Sequence, residues 1–106
     1  MQFFLDFNVE YGAHMSQNDL FSTWSREADV ALGAKAAGVV ENLWKCVGER
    51  RVIAVVNVET PDQLDQILMD LPIMKEMGQF VRVNVTPLRR YEDFASDVGK
   101  RLRDNN

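Results

Sequence analysis

Apolar and polar residues alternate at the start of the chain. Phe3, Leu5, Phe7 and Val9 fall on one side of residues 2–10, and Gln2, Asp6, Asn8 and Glu10 on the other, with Phe4 the exception. A period of two is that of a half-buried strand. After a short loop the period changes. Ser16 followed by Asp19 has the spacing of a capping box, and the spacing predicts a helix over 17–35. At 100° per residue, Leu20, Phe21, Trp24, Ala28, Ala31 and Leu32 gather on one side of that helix. Gly33 and Gly38 mark its fraying end. Residues 39–47 read as a second strand, with Cys46 as a small apolar member, and Gly48 opens a hairpin loop. Residues 51–58 form a third strand whose Val52-Ile53-Ala54-Val55-Val56 run suits cover on much of both faces. Thr60-Pro61-Asp62-Gln63 is a strong helix start: Thr60 caps, Pro61 takes the first helical position and Gln63 can complete the box. That helix carries Leu64, Ile67, Leu68 and Leu71 and ends at Pro72. Residues 79–87 are a fourth strand. Phe94, Val98 and Leu102 recur at helical spacing within 91–103, a stripe thin enough to need a neighbouring subunit or else to fray.

The order β-α-β-β-α-β defines an α+β, ferredoxin-like domain: an antiparallel sheet with both helices on one face. The bare face then calls for a second copy of the chain. We assign residues 1–88 to this domain and residues 89–106 to a C-terminal helical extension. A total of 106 residues fits one domain. The net charge of −4, from 12 basic and 16 acidic residues, argues against nucleic acid as a partner. One cysteine and one histidine, Cys46 and His14, allow neither an internal disulfide nor a closed zinc site. No Gly-rich phosphate loop or metal-spaced carboxylate cluster is present, so neither cofactor nor metal is expected. The first residues lack a signal-peptide pattern, and no window is long and apolar enough to span a bilayer. A cytoplasmic protein without a membrane partner is the expectation.

Glu27 is the candidate with the clearest physical rationale. On the predicted helix it falls about 20° from Leu20 and about 60° from Trp24, inside the apolar stripe, while Arg26 and Asp29 point away. A carboxylate among apolar groups has a raised pKa, which suits a group that accepts and returns a proton near neutrality. A salt-bridged residue at the stripe's edge is the structural alternative. Lys45 and Arg50 are ordinary solvated charges unless they meet an anionic substrate, for which a guanidinium is well shaped. Trp44 reads as core, though a flat aromatic can also wall a ring-shaped ligand.

Leu43-Trp44-Lys45, Gly48, Val58-Glu59-Thr60 with its leucine-rich helix, Leu71-Pro72-Ile73 and Met77 together resemble the pattern of the muconolactone isomerase family. The resemblance implies a dimeric ferredoxin-like unit that assembles further, to decamers in the family. It implies a cofactor-free proton shift that moves a double bond in a small unsaturated lactone from aromatic catabolism. It places a family glutamate at Glu27 as the catalytic group and Trp44 on the helix-facing side. Trp44 and, by their charge, Lys45 and Arg50 are the candidate substrate contacts, although around the hairpin this chain has Glu49, Arg50 and Val52 where the family carries an aromatic and an amide group. Where the family has a first-strand histidine, this chain has Phe4, a fourth contact. Other chemistries on the same fold are a dehalogenase or a cofactor-free oxygenase acting on a related ring-cleavage product. A non-catalytic binder of small molecules is the remaining class.

Overall fold

The computed structural model describes residues 1–104. The last two residues of the expected extension, 105 and 106, lie outside the described residues. The elements are β1 (Gln2–Val9), α1 (Gln17–Ala36), β2 (Val40–Lys45), β3 (Arg51–Asn57), α2 (Pro61–Asp70), α3 (Pro72–Met77), a 3-10 turn (Gly78–Phe80), β4 (Val81–Leu88) and α4 (Tyr91–Asp104). The four strands form one antiparallel sheet in the order β2-β3-β1-β4. This is the expected α+β arrangement, with α1, α2 and α3 on one face of the sheet.

The helix starts are fixed locally. The Ser16 hydroxyl accepts from the Asp19 amide at 3.1 Å and the Asp19 carboxylate accepts from the Ser16 amide at 3.0 Å, a complete capping box. At α2, Thr60 accepts from the Gln63 amide at 3.0 Å. The Gln63 side chain instead takes the amide of Glu59, one residue earlier than a standard box, at 2.7 Å. The α1 exit turns through Gly38 at φ +86° and the β2–β3 hairpin through Gly48 at φ +77°, conformations that glycine adopts without strain.

Two departures from the sequence reading matter for the site. Pro72 does not simply end α2. It forces Leu71 into an extended conformation (φ −65°, ψ 136°) and then occupies the first turn of a separate short helix, α3. In β2 the register slips between Val40, which pairs with Val56, and Asn42, which pairs with Val55. Glu41 is the extra residue of a bulge, so every side chain after it changes face.

The core is divided. Phe3, Leu5, Ala54, Val56 and Val58 pack with Leu64 of α2 in one cluster. Val9, Leu20 of α1, and Ile73 and Met77 of α3 form the other. The contact between α1 and α3 is reinforced at the surface. Arg26 Nε donates to Glu76 Oε2 at 2.9 Å, and the buried Thr23 hydroxyl donates to Glu76 Oε1 at 3.2 Å. No comparable packing joins α1 to α2.

At the C-terminus, α4 forms as the periodicity predicts but packs on no other element to any substantial extent, and it stretches the chain to 63 Å. Tyr91, Phe94, Val98 and Leu102 are left exposed. An Arg89–Asp97 ion pair at 2.5 Å and stacking of Arg89 on Phe94 hold its first turns.

The two ends of the α1 stripe differ in weight. Leu20 is fully buried, whereas Leu32 is 59% exposed. Leu20→Ala is expected to lower the unfolding free energy by about 3 kcal/mol in urea titrations, and Leu32→Ala by less than about 0.5 kcal/mol. Equal losses would contradict this placement of the helix.

Candidate active site

The gap between α1 and α2 is a cavity of about 380 Å³ floored by the sheet. Its walls come from Ala28 and Ala31 of α1, Ile67 and Leu68 of α2, and Leu5 and Ala54 of the sheet. The small α1 residues keep the space open, because nothing from that helix reaches across to α2. Only Glu27 and Lys45 among the lining residues carry ionisable groups.

Glu27 is half-buried on the cavity side of α1. Burial among apolar side chains raises its carboxyl above the ordinary value of 4.5. The backbone N–H of Ile73 donates to its Oε2 at 3.4 Å and pulls weakly the other way. The geometry leaves an apolar-walled carboxylate with one long hydrogen bond, on the α1 wall of a partly open cleft. Such a group can take up a proton without a large electrostatic penalty and give it back.

Beside this cavity lies a second basin of about 510 Å³, and the two share Trp24, Lys45 and Val52. Its rim holds Tyr11, Phe21, Glu49 and Arg50. Arg50 is pinned from two sides: Nε donates to the Val9 carbonyl at 3.0 Å, and the guanidinium lies 5.0 Å over the Tyr11 ring. Its terminal nitrogens have no partner among the described residues. Lys45 Nζ donates only to the Cys46 carbonyl, at 2.9 Å. Among the described residues neither cation forms an ion pair, with Glu49 or any other carboxylate, so the rim presents two positive groups to whatever enters. Among the described residues no cluster of His, Cys, Asp and Glu could hold a metal ion, and no helix is long and apolar enough to cross a membrane.

The family model described as muconolactone delta-isomerase matches residues 1–93. The chain belongs to the muconolactone delta-isomerase family. A solved structure agrees at the level of fold: the crystal structure of muconolactone isomerase at 3.3 Å resolution superimposes with a TM-score of 0.71, covering 85% of this chain and 90% of that one at 22% identity. Comparison with curated protein sequences finds no match.

Of the muconolactone isomerase contacts expected from sequence, the structure brings Glu27, Lys45 and Arg50 to the cavity and its rim. It separates two others. Trp44 pairs with Ile53 and is 52% exposed, on the sheet face away from the helices. The Glu41 bulge is the reason: it puts Leu43 and Lys45 on the helix side, opposite Ala54 and Val52, and turns Trp44 outwards. Trp44 borders the cavity only as part of the edge strand. Phe4 pairs with Val55 and lies on the same outer face, since its neighbours Phe3 and Leu5 fill the core. It lines neither space. The aromatic that does stand between the two spaces is Trp24, which the helical periodicity places on the stripe without marking it as a ligand contact. Tyr11, read as loop, is the other residue that sequence gave no reason to select. Cys46 lies in the turn after β2 rather than in the strand, and His14 is exposed.

The sign of the Glu27 shift gives a stability signature. A carboxyl whose pKa is higher in the folded than in the unfolded chain favours folding most below the unfolded value, and that contribution is lost as pH rises through the folded value. Glu27→Gln removes the dependence. Its stability relative to wild type is therefore expected to increase from pH 4 to pH 8 in paired urea titrations. A constant difference would contradict the burial described here.

Proposed function

We propose that this protein is a cofactor-independent isomerase that moves a carbon–carbon double bond in a small unsaturated lactone from aromatic breakdown. The half-buried Glu27 carboxylate in an apolar cavity supports this reading most strongly. As a base, Glu27 removes a proton from the saturated carbon next to the double bond that is conjugated with the lactone carbonyl. The C–H electron pair becomes the new double bond and the displaced electrons move to the carbonyl oxygen. The proton, held on Glu27, is returned to the far carbon, and the carbonyl re-forms. Atoms balance without an added reagent. The apolar walls keep water from exchanging with the carried proton, and the cations at the rim offset the anionic charge of the substrate and of the enolate.

Glu27→Gln is expected to lower kcat on muconolactone by roughly 10²–10⁴-fold while leaving the circular dichroism spectrum unchanged. Wild-type turnover in a folded variant would remove Glu27 from the reaction. The acid limb of kcat/KM is expected above the ordinary glutamate value of 4.5.

Self-association belongs to the same reading. The outer sheet face carries Phe4, Trp44, Ile53 and Val55, an apolar patch beside the Asp6–Arg51 pair, in which Arg51 Nε and a terminal nitrogen donate to the two carboxylate oxygens at 2.9 and 2.8 Å. Packing of two such faces gives the dimeric unit, and the apolar side of α4 is available for the contacts of a larger ring such as a decamer. Light scattering is expected to give a particle of at least two 12.1 kDa chains, and Ile53→Lys to reduce that mass. An unchanged mass would place the interface elsewhere.

A further inference from the structure

We propose that the natural ligand carries a hydrocarbon substituent, alkyl or aryl, at the end remote from its carboxylate, and that this substituent fills the gap between α1 and α2 while the carboxylate lies at Lys45 and Arg50. The inference rests on the isomerase reading of Glu27 and narrows it to a substrate class.

Three observations carry it. The cavity is large for a bare ring acid. At about 380 Å³ it falls in the range of sites that enclose drug-sized molecules. Its interior is also chemically one-sided. A small lactone acid has oxygen atoms at both ends, and beyond Glu27 the walls are Ala28, Ala31, Ile67, Leu68 and the apolar sheet floor, with no side chain to receive the inner oxygens. A polar group buried without a partner is strongly disfavoured, whereas a hydrocarbon group there gains from leaving water. Finally, the charge is distributed to orient such a ligand. Lys45 and Arg50 stand together on the basin that joins the cavity at Trp24. Glu27, on the α1 wall, repels an anion from the gap. The ligand therefore enters tail first and stops with its carboxylate at the rim, which leaves Glu27 beside the atoms between head and tail. The reaction that supplies it would be ring cleavage and lactonisation of an alkyl- or aryl-substituted aromatic.

The test measures binding separately from turnover. Muconolactone and its methyl, butyl and phenyl derivatives, substituted away from the carboxylate, are titrated into Glu27→Gln by calorimetry. Affinity is expected to rise by roughly three- to four-fold for each added methylene that is buried, and by more than about ten-fold from the unsubstituted acid to the butyl and phenyl compounds. In Ala31→Phe, which fills the gap, that gain disappears while the unsubstituted acid still binds. Ala28→Leu serves as an independent block should Ala31→Phe fold poorly. Lys45→Met and Arg50→Met lower affinity for the whole series by a similar factor. Affinity that is flat or falls along the series overturns the proposal, whatever the variants do, and so does binding indifferent to both cation substitutions. Occupation of the gap by α4 of a second copy would appear as a flat series together with a gain in affinity when residues 91–104 are deleted, and it too overturns the proposal. Strong, graded binding without turnover of any member by the wild-type enzyme would leave the ligand class standing and remove the isomerase reading.

Discussion

The seating of α1 on α3, rather than on α2, is the constraint from which the rest follows. A short antiparallel sheet with two long helices on one face would ordinarily close by packing the helices together. Here Pro72 interrupts the second helix, and the chain swings Ile73 and Met77 under Leu20. Glu76 then ties Arg26 and Thr23 to the same place. With α1 engaged at its N-terminal half by α3, its later residues diverge from α2. The core splits into two clusters, and the unfilled space between them is the cavity. A small domain has little burial to spare, so a void of this size is a feature that the fold supports at some loss of packing.

The same arrangement sets the character of Glu27. One helical turn beyond Trp24 it leaves the region packed by α3 and faces the void. Its only described hydrogen bond comes from the first turn of α3, the element that created the opening. A carboxylate in this position is less favourable to ionise than one at the surface, and its neighbours offer no charge to stabilise it. Structural roles seldom call for such a group. Acid–base chemistry does, and on the proposed reading Lys45 and Arg50 at the rim give an anionic ligand a direction.

Much of the architecture was legible because local signals agreed with one another. The alternation in residues 2–9, the capping box at Ser16 and the Thr60-Pro61 start each define one element, and their order leaves little freedom in topology. Glu27 was legible for the same reason: an acidic residue inside an apolar stripe breaks a pattern that is otherwise consistent. The bulge at Glu41 was not. A single inserted residue leaves no mark in composition, yet it reverses the facing of Trp44 and turns Lys45 to the helix side. Phe4 was misplaced by a different route, since a family position was carried over to a residue whose neighbours, Phe3 and Leu5, already claim the core face. The short α3 was hidden because a proline after a leucine-rich helix reads equally well as a stop or as a new start. The cavity is a property of how helices diverge, which one-dimensional periodicity does not record.

Pro87 has a further consequence for how copies of this chain can meet. It sits in β4, an edge strand, opposite Phe3. A proline survives in a sheet only where its absent N–H faces outwards. The free border of β4 therefore lacks a donor where an incoming strand would need one, and endless edge-to-edge growth is discouraged. Copies that meet are steered away from this border and towards other surfaces.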